Sequence, residues 1–311
     1  MTIDATAPYA VADDPHHDPR QAAFLAIFGM VLLSGIDNFV PVIAQDIGLW
    51  QFHAARAVMV LAMLVPVALF LGRRLRPVSW RAVAVRSTLI AFAMTLYFGA
   101  VAYMPVAQVG AGLLTAPIFV LLISWGLFGA DIGRWRVLAV ALGFAGVLLV
   151  LRPFGAGLSV LNVLPIAAGV LYAMAAVITR RHCAQETEVT LVAGFYSAMG
   201  VLGIIGLAAL SGSGLTPADG FFVAAWQPWT ASALFWTVAQ AVVSLVGIAA
   251  LFRAYLLAEA SHVAVFEYAL LIAAGLWGYV LWGQVPDALA VLGMACIIVA
   301  GVVIIKRSGA A

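Results

Sequence analysis

The chain is a succession of apolar blocks, each close to the length needed to cross a bilayer, and no other feature restricts its fold so severely. The blocks run over 22–43, 50–71, 80–102, 105–126, 134–151, 158–180, 189–211, 230–257, 262–283 and 286–305. A spanning helix needs about 20 mainly apolar residues, and backbone in hydrocarbon must satisfy its own hydrogen bonds. The blocks are unbroken rather than alternating, which selects helices over a β-barrel. The expected fold is therefore all-α and integral to the membrane, with about ten transmembrane helices. Composition agrees. Hydrophobic residues make up 65% of the chain and charged residues 9%, with a mean hydropathy of +1.12. A soluble domain carries roughly a quarter charged residues. This chain cannot coat itself against water.

The loops give the orientation. Arg20, Arg73, Arg74, Arg76, Arg81, Arg134, Arg136, Arg180, Arg181, Arg253, Lys306 and Arg307 all fall on one side if the N-terminus is cytoplasmic. Positive charge stays inside, so both termini are expected in the cytoplasm. Arg86, just within the third span, is placed to snorkel to the same side. With the basic residues in short loops and a net charge of +2, nucleic acid is excluded as a partner. Residues 1–20 are polar and rich in Pro, Asp and His, and read as a disordered cytoplasmic tail without the basic region of a signal peptide. His16 and His17 in that tail are solvated rather than metal-binding. Cys183 and Cys296 have no framework spacing, and neither cofactor nor metal is expected.

The chain also repeats. The stretch from Phe98 aligns without gaps on the stretch from Phe252, bringing Ala100 to Ala254, Val109 to Val263 and Gly129 to Gly283. One residue of slippage later, Ala145-Gly146-Val147 meets Ala300-Gly301-Val302 and Arg152 meets Arg307. Two five-helix repeats follow, at 21–152 and 158–307. An odd number of spans in each forces opposite insertion, the inverted-repeat design of many secondary transporters.

This layout resembles the drug/metabolite transporter superfamily, EamA type. The residues that carry the resemblance are Arg56 in LWQFHAARAVMVL, SGIDNFVPVIA in the first span, and the half-ending patterns Gly129 to Arg152 and Gly283 to Arg307. The Gly-Glu turn usual in the family at the ends of spans four and nine is replaced here by Gly129-Ala130-Asp131 and Gly283-Gln284. The resemblance implies a ten-helix transporter of the bacterial inner membrane that works without ATP hydrolysis, as monomer or homodimer. It does not imply a substrate.

Ionisable side chains inside spans are costly and usually face a cavity or a partner. Asp37, beside Asn38, lies about six residues from the outer end of the first span, roughly 9 Å deep at 1.5 Å per residue. Arg56 lies at matching depth on the next, antiparallel span. The two can form a pair that carries protons, that holds a zwitterionic substrate, or that merely locks two helices. Glu267, in the ninth span, stands opposite Leu113 in the repeat and so is asymmetric. His262 is five residues away, about 140° round the helix, and shares no site with it. Tyr97, Gln108, Tyr196 and Gln240 complete the candidate pathway, with Tyr172 and Trp236 also embedded. Pro66, Pro117 and Pro165 are candidate kinks, Pro117 the foremost hinge. Gly110-Ala111-Gly112 and Ala300-Gly301 are read as packing surfaces.

The expected function is secondary transport of a small amphipathic metabolite (amino-acid-like, vitamin-like or drug-like) by alternating access, with protons as the candidate coupling ion. Sugar-phosphate antiport is the rival, weakened because a phosphate site wants several deep cations and only Arg56 qualifies. A membrane enzyme lacks support, since no metal spacing or nucleophile motif is present. A non-transporting scaffold is disfavoured by the duplication.

Overall fold

The computed structural model describes residues 18–128, 134–151, 160–183, 185–257, 263 and 266–308. His16, His17, residues 129–133, Arg152 and His262 lie outside the described residues. The helices are α1 (Pro19–Asp37), α2 (Val40–Asp46), α3 (Leu49–Phe70), α4 (Trp80–Val101), α5 (Val106–Leu113) and α6 (Ala116–Phe128). There follow α7 (Arg134–Leu151), α8 (Val160–His182), α9 (Glu188–Ala209), α10 (Ala231–Leu257), α11 (Ala269–Trp282) and α12 (Ala288–Ser308). Among the described residues, six helical segments are long and apolar enough to cross a membrane, and four shorter apolar helices accompany them.

Side-chain placement is inverted relative to a soluble protein. Phe70 is 91% exposed, Ile272 68% and Phe24 66%, whereas Gln51, His53, Thr237 and Gln240 are fully buried. Large apolar groups facing outward in such numbers have only lipid as a matching solvent. The fold is an all-α membrane protein.

Local chemistry sets the helix limits. Asp18 caps α1, accepting from the backbone N–H groups of Arg20 at 3.1 Å and Gln21 at 3.0 Å, with Pro19 in the first turn. The first span then breaks after Asp37. Pro41 has no N–H to give the Asp37 carbonyl, and its ring crowds that carbonyl. Asn38 and Phe39 turn instead through tighter bonds to Gly35 and Ile36. The fourth span breaks likewise at Leu114 and Thr115, between α5 and α6, just before Pro117. Pro66 and Pro165 sit inside helices that run on without interruption. Gly283 closes α11 in the left-handed region, φ 64°, where its N–H reaches Tyr279 O and the Gln284 N–H reaches Gly278 O.

The helices pack in pairs: α7 on α12, α3 on α9, α1 on α10, α4 on α8, α5 on α11. Counting α1–α2 and α5–α6 as one span each, the principal contacts map onto themselves when each span is exchanged for the one five later. Thus α1 on α10 becomes α8 on α4, and α4 on α9 becomes α10 on α3. Glycine permits the closest crossings. A Cβ on Gly146 would stand 2.6 Å from Gly293 O, and one on Gly293 would stand 2.6 Å from Gly146 O. Gly110 faces Leu270, Gly112 faces Pro165 and Gly143 faces Ala300, so the small-residue runs are packing surfaces, as expected.

Arg86 is bonded to two other helices. It is buried, donating from Nε to Thr179 Oγ1 at 3.2 Å and from Nη1 to Leu191 O at 2.9 Å. These partners stand near the end of α8 and the start of α9, so the guanidinium fastens α4 to both.

The segment between α9 and α10 folds back over the ends of α3 and α4. Gln51 and Gln227 exchange two 2.9 Å hydrogen bonds, side-chain amide of one to backbone of the other. Trp50 Nε1 donates to Phe222 O at 2.8 Å, and the Phe221 N–H donates to Tyr103 Oη at 2.6 Å. The Phe222 ring fills the space left beside Gly99.

Candidate functional site

The break after Asp37 delivers its carboxylate into the middle of the bundle. Asp37 is 7% exposed. Tyr97 on α4 donates its Oη to Asp37 Oδ2 at 2.9 Å, and Gln240 on α10 donates its Nε2 to Asp37 Oδ1 at 2.6 Å. Three helices distant in sequence are joined through one acid. Asn38 plays a different part, donating from Nδ2 to Ser34 O at 2.7 Å and so satisfying a carbonyl that the broken helix leaves open.

Arg56 enters from α3 and is 2% exposed. Its guanidinium carbon lies 4.2 Å from the ring centre of Phe98, 4.9 Å from that of Phe52 and 5.9 Å from that of Tyr196. Tyr196 Oη meets Ser244 Oγ at 3.2 Å. The expected pair of Asp37 with Arg56 does not form as a direct bridge. The carboxylate is turned to Tyr97 and Gln240, the guanidinium to three aromatic faces, and no ion pair joins them among the described residues. Their charges share one buried layer without touching.

The energetics of that arrangement are open-ended. Cation–π contacts contribute about 0.5–2 kcal/mol each. Removing an ion from water still costs several kcal/mol after relaxation. The three rings surround the guanidinium without supplying a carboxylate, and its Nε has no hydrogen-bond partner. His53, three residues before Arg56, is fully buried with both ring nitrogens unpartnered, its ring edge-on to Phe98 at 5.7 Å. Thr237 Oγ1 and Gln240 Oε1 are buried and unpartnered too. Each such group costs about 1–3 kcal/mol if left unmade. Ser87 Oγ is unpartnered as well, against Gly194 on α9, but the other four stand on α3 and α10, which pack together.

Of the expected pathway residues, Asp37, Tyr97 and Gln240 form one hydrogen-bonded unit, with Arg56 and Tyr196 in ring contact beside it. Asn38 also lines a cavity of about 260 Å³ with Pro41, Gln45, Met104 and Trp282. Gln108 stands apart, in a neighbouring cavity of about 200 Å³ with Gln284 and Asp287. Glu267, just before α11, lies within electrostatic reach of Tyr172 and Tyr268 rather than in the Asp37 unit. His53, Thr237 and Ser244 escaped the sequence reading. The spacing of three from His53 to Arg56 and from Thr237 to Gln240 was the signal available, since residues three apart share a helix face.

Among the described residues no cluster of His, Cys, Asp and Glu is arranged to hold a metal ion. The EamA-like transporter family profile matches residues 20–152. The pseudopaline exporter CntI of Pseudomonas aeruginosa is 31% identical over 220 residues, spanning 70% of this chain and 72% of that protein. A riboflavin transporter of Rhizobium johnstonii is 27% identical over 231 residues, spanning 73% and 70%. A known crystal structure shares the fold, with a TM-score of 0.63 at 19% identity over 91% of this chain and 96% of that one. The chain belongs to the EamA-like transporter family of the drug/metabolite transporter superfamily: it is a multi-pass membrane transporter of small molecules, not an enzyme.

Proposed function

We propose that the protein moves a small amphipathic metabolite across the bacterial inner membrane by alternating access, with both termini in the cytoplasm and Asp37 as the proton carrier. The observation that carries this is the Asp37 carboxylate, buried at a helix break and held jointly by Tyr97 and Gln240 from two other helices. A proton arriving on Asp37 removes the charge that those donors stabilise, and so loosens the tie among α1, α4 and α10. Occupancy of the acid by a proton is thereby linked to the relative position of three helices. The packing pattern that survives exchange of spans five apart supports two inverted halves, 21–152 and 158–307, rocking about a site between them.

Sugar-phosphate antiport is the weaker reading. Among the described residues the buried cations are Arg56 and Arg86, and Arg86 is already bonded to Thr179 and Leu191. A phosphate dianion would meet one free guanidinium.

The test is reconstitution into proteoliposomes with a panel of metabolites, with and without an imposed pH gradient. Gradient-driven flux that disappears in Asp37→Asn is the expected result. Full gradient-driven flux in that variant removes the carrier role from Asp37, and its loss in Glu267→Gln instead would assign the role to the ninth span.

A further inference from the structure

His53 and Arg56 share one face of α3, and Thr237 and Gln240 share one face of α10, the helix packed against it. All four are buried, and each presents at least one polar side-chain atom with no hydrogen-bond partner. Their chemistry is not balanced. Arg56 brings a permanent cation and a donor edge, His53 brings one N–H and one acceptor nitrogen, and Thr237 brings a hydroxyl. Asp37, the acid of that layer, is engaged by Tyr97 and Gln240. What the layer lacks is an acceptor bonded to the Arg56 guanidinium.

We infer that Arg56 and His53 form a carboxylate-binding subsite for an organic acid with an apolar body. The inference rests on the reading of the Asp37 layer as the transport site. The guanidinium carbon lies 4.2 Å from the Phe98 ring centre and 4.9 Å from that of Phe52, so two rings hold the group in place. Its planar fork matches the two oxygens of a carboxylate. The ring of His53, set edge-on to Phe98 at 5.7 Å and 5.4 Å from the Phe52 ring, adds a donor one turn away. Phe52, Phe98 and Tyr196 offer ring faces and edges to the rest of the ligand. A single guanidinium with a neutral imidazole suits a monoanion and underserves a phosphate dianion.

The purified protein in detergent gives the test, read as thermal unfolding against ligand concentration. The probes are phenylacetate, its neutral isostere phenylacetamide, and inorganic phosphate. Phenylacetate should raise the melting temperature saturably, and the other two should not. His53→Gln and His53→Leu should each weaken phenylacetate by about tenfold, the size of a lost hydrogen bond to a charged group. Arg56→Gln should abolish the saturable shift. If Arg56→Gln does not fold, Arg56→Lys carries the same test, with weakened rather than absent binding because the fork is lost. Equal shifts from acid and amide, no saturable shift from phenylacetate, or unchanged affinity in both His53 variants would overturn the subsite. Phenylacetate binding without flux of any acid would sink the transport reading and leave the subsite standing. Gradient-driven flux of neutral compounds without phenylacetate binding would do the reverse.

Discussion

Asp37 accepts a hydrogen bond on each carboxylate oxygen, so asparagine at this position tests charge rather than shape. The new amide would offer an NH2 toward Gln240 Nε2, and Gln240 can answer by turning its own amide. Its Oε1, now buried without a partner, would then accept. Asp37→Asn is therefore expected to fold, with a melting temperature within about 4 °C of the wild type, and to lose gradient-driven flux; thermal unfolding and proteoliposome assays check the two halves of the statement. Tyr97→Phe has no such remedy. It removes one donor and should destabilise by about 1–3 kcal/mol, visible in the same unfolding assay. The acid and the arginine were legible in sequence because an ionisable group in an apolar run stands out, and Tyr97, Tyr196 and Gln240 were flagged as embedded polar residues. His53, Thr237 and the rings of Phe52 and Phe98 were not. Phe52, Phe98 and Tyr196 come from three helices, and nothing in local spacing says which helices will adjoin. Matching depth predicted that Asp37 and Arg56 would share a layer, but depth does not fix the direction in which side chains turn.

Breaks in helices belong to the next scale. Pro41 and Pro117 each coincide with an interruption, whereas Pro66 and Pro165 do not. The sequence flagged Pro66, Pro117 and Pro165 but not Pro41, and whether the ladder tears or merely bends depends on what neighbours offer the freed carbonyl. Pro41→Ala would restore an N–H opposite the Asp37 carbonyl and favour one continuous helix through Asn38. The expected outcome is a more thermostable protein with slower flux, read by unfolding and transport on the same preparation. At the crossing of α7 and α12 the margin is narrow, because each glycine faces the backbone oxygen of the other. Gly146→Leu should cost at least about 1–3 kcal/mol through overpacking and show as a lowered melting temperature. That crossing was legible as small residues, though its partner was not.

For the whole molecule, the number of spans and their apolar character were read directly, because bilayer thickness imposes one length on every element. The order of packing was not, since lipid-facing and bundle-facing residues are both apolar along most of each span. The predicted orientation has a direct check. Ser213→Cys, in the segment between α9 and α10, should react with a membrane-impermeant maleimide on intact cells, and Glu186→Cys should not. That segment carries its own small cap. Asp219 accepts from the Thr216 backbone N–H at 2.9 Å and hydroxyl at 3.0 Å, and these bonds hold its carboxyl below the usual carboxylate range. The sign follows. A depressed folded value contributes above the unfolded value of about 3.9 and is lost as pH falls through the lower one, so the turn should stay intact at any pH a transport assay uses.

The same segment is sewn to the ends of α3 and α4 by Gln51, Trp50 and Tyr103. Parting those ends from α9 and α10 means rupturing several directional bonds together. Such a step is enthalpic, so turnover limited by it should climb steeply with temperature, and a chain nicked within 211–216 should show a shallower Arrhenius slope than the intact one.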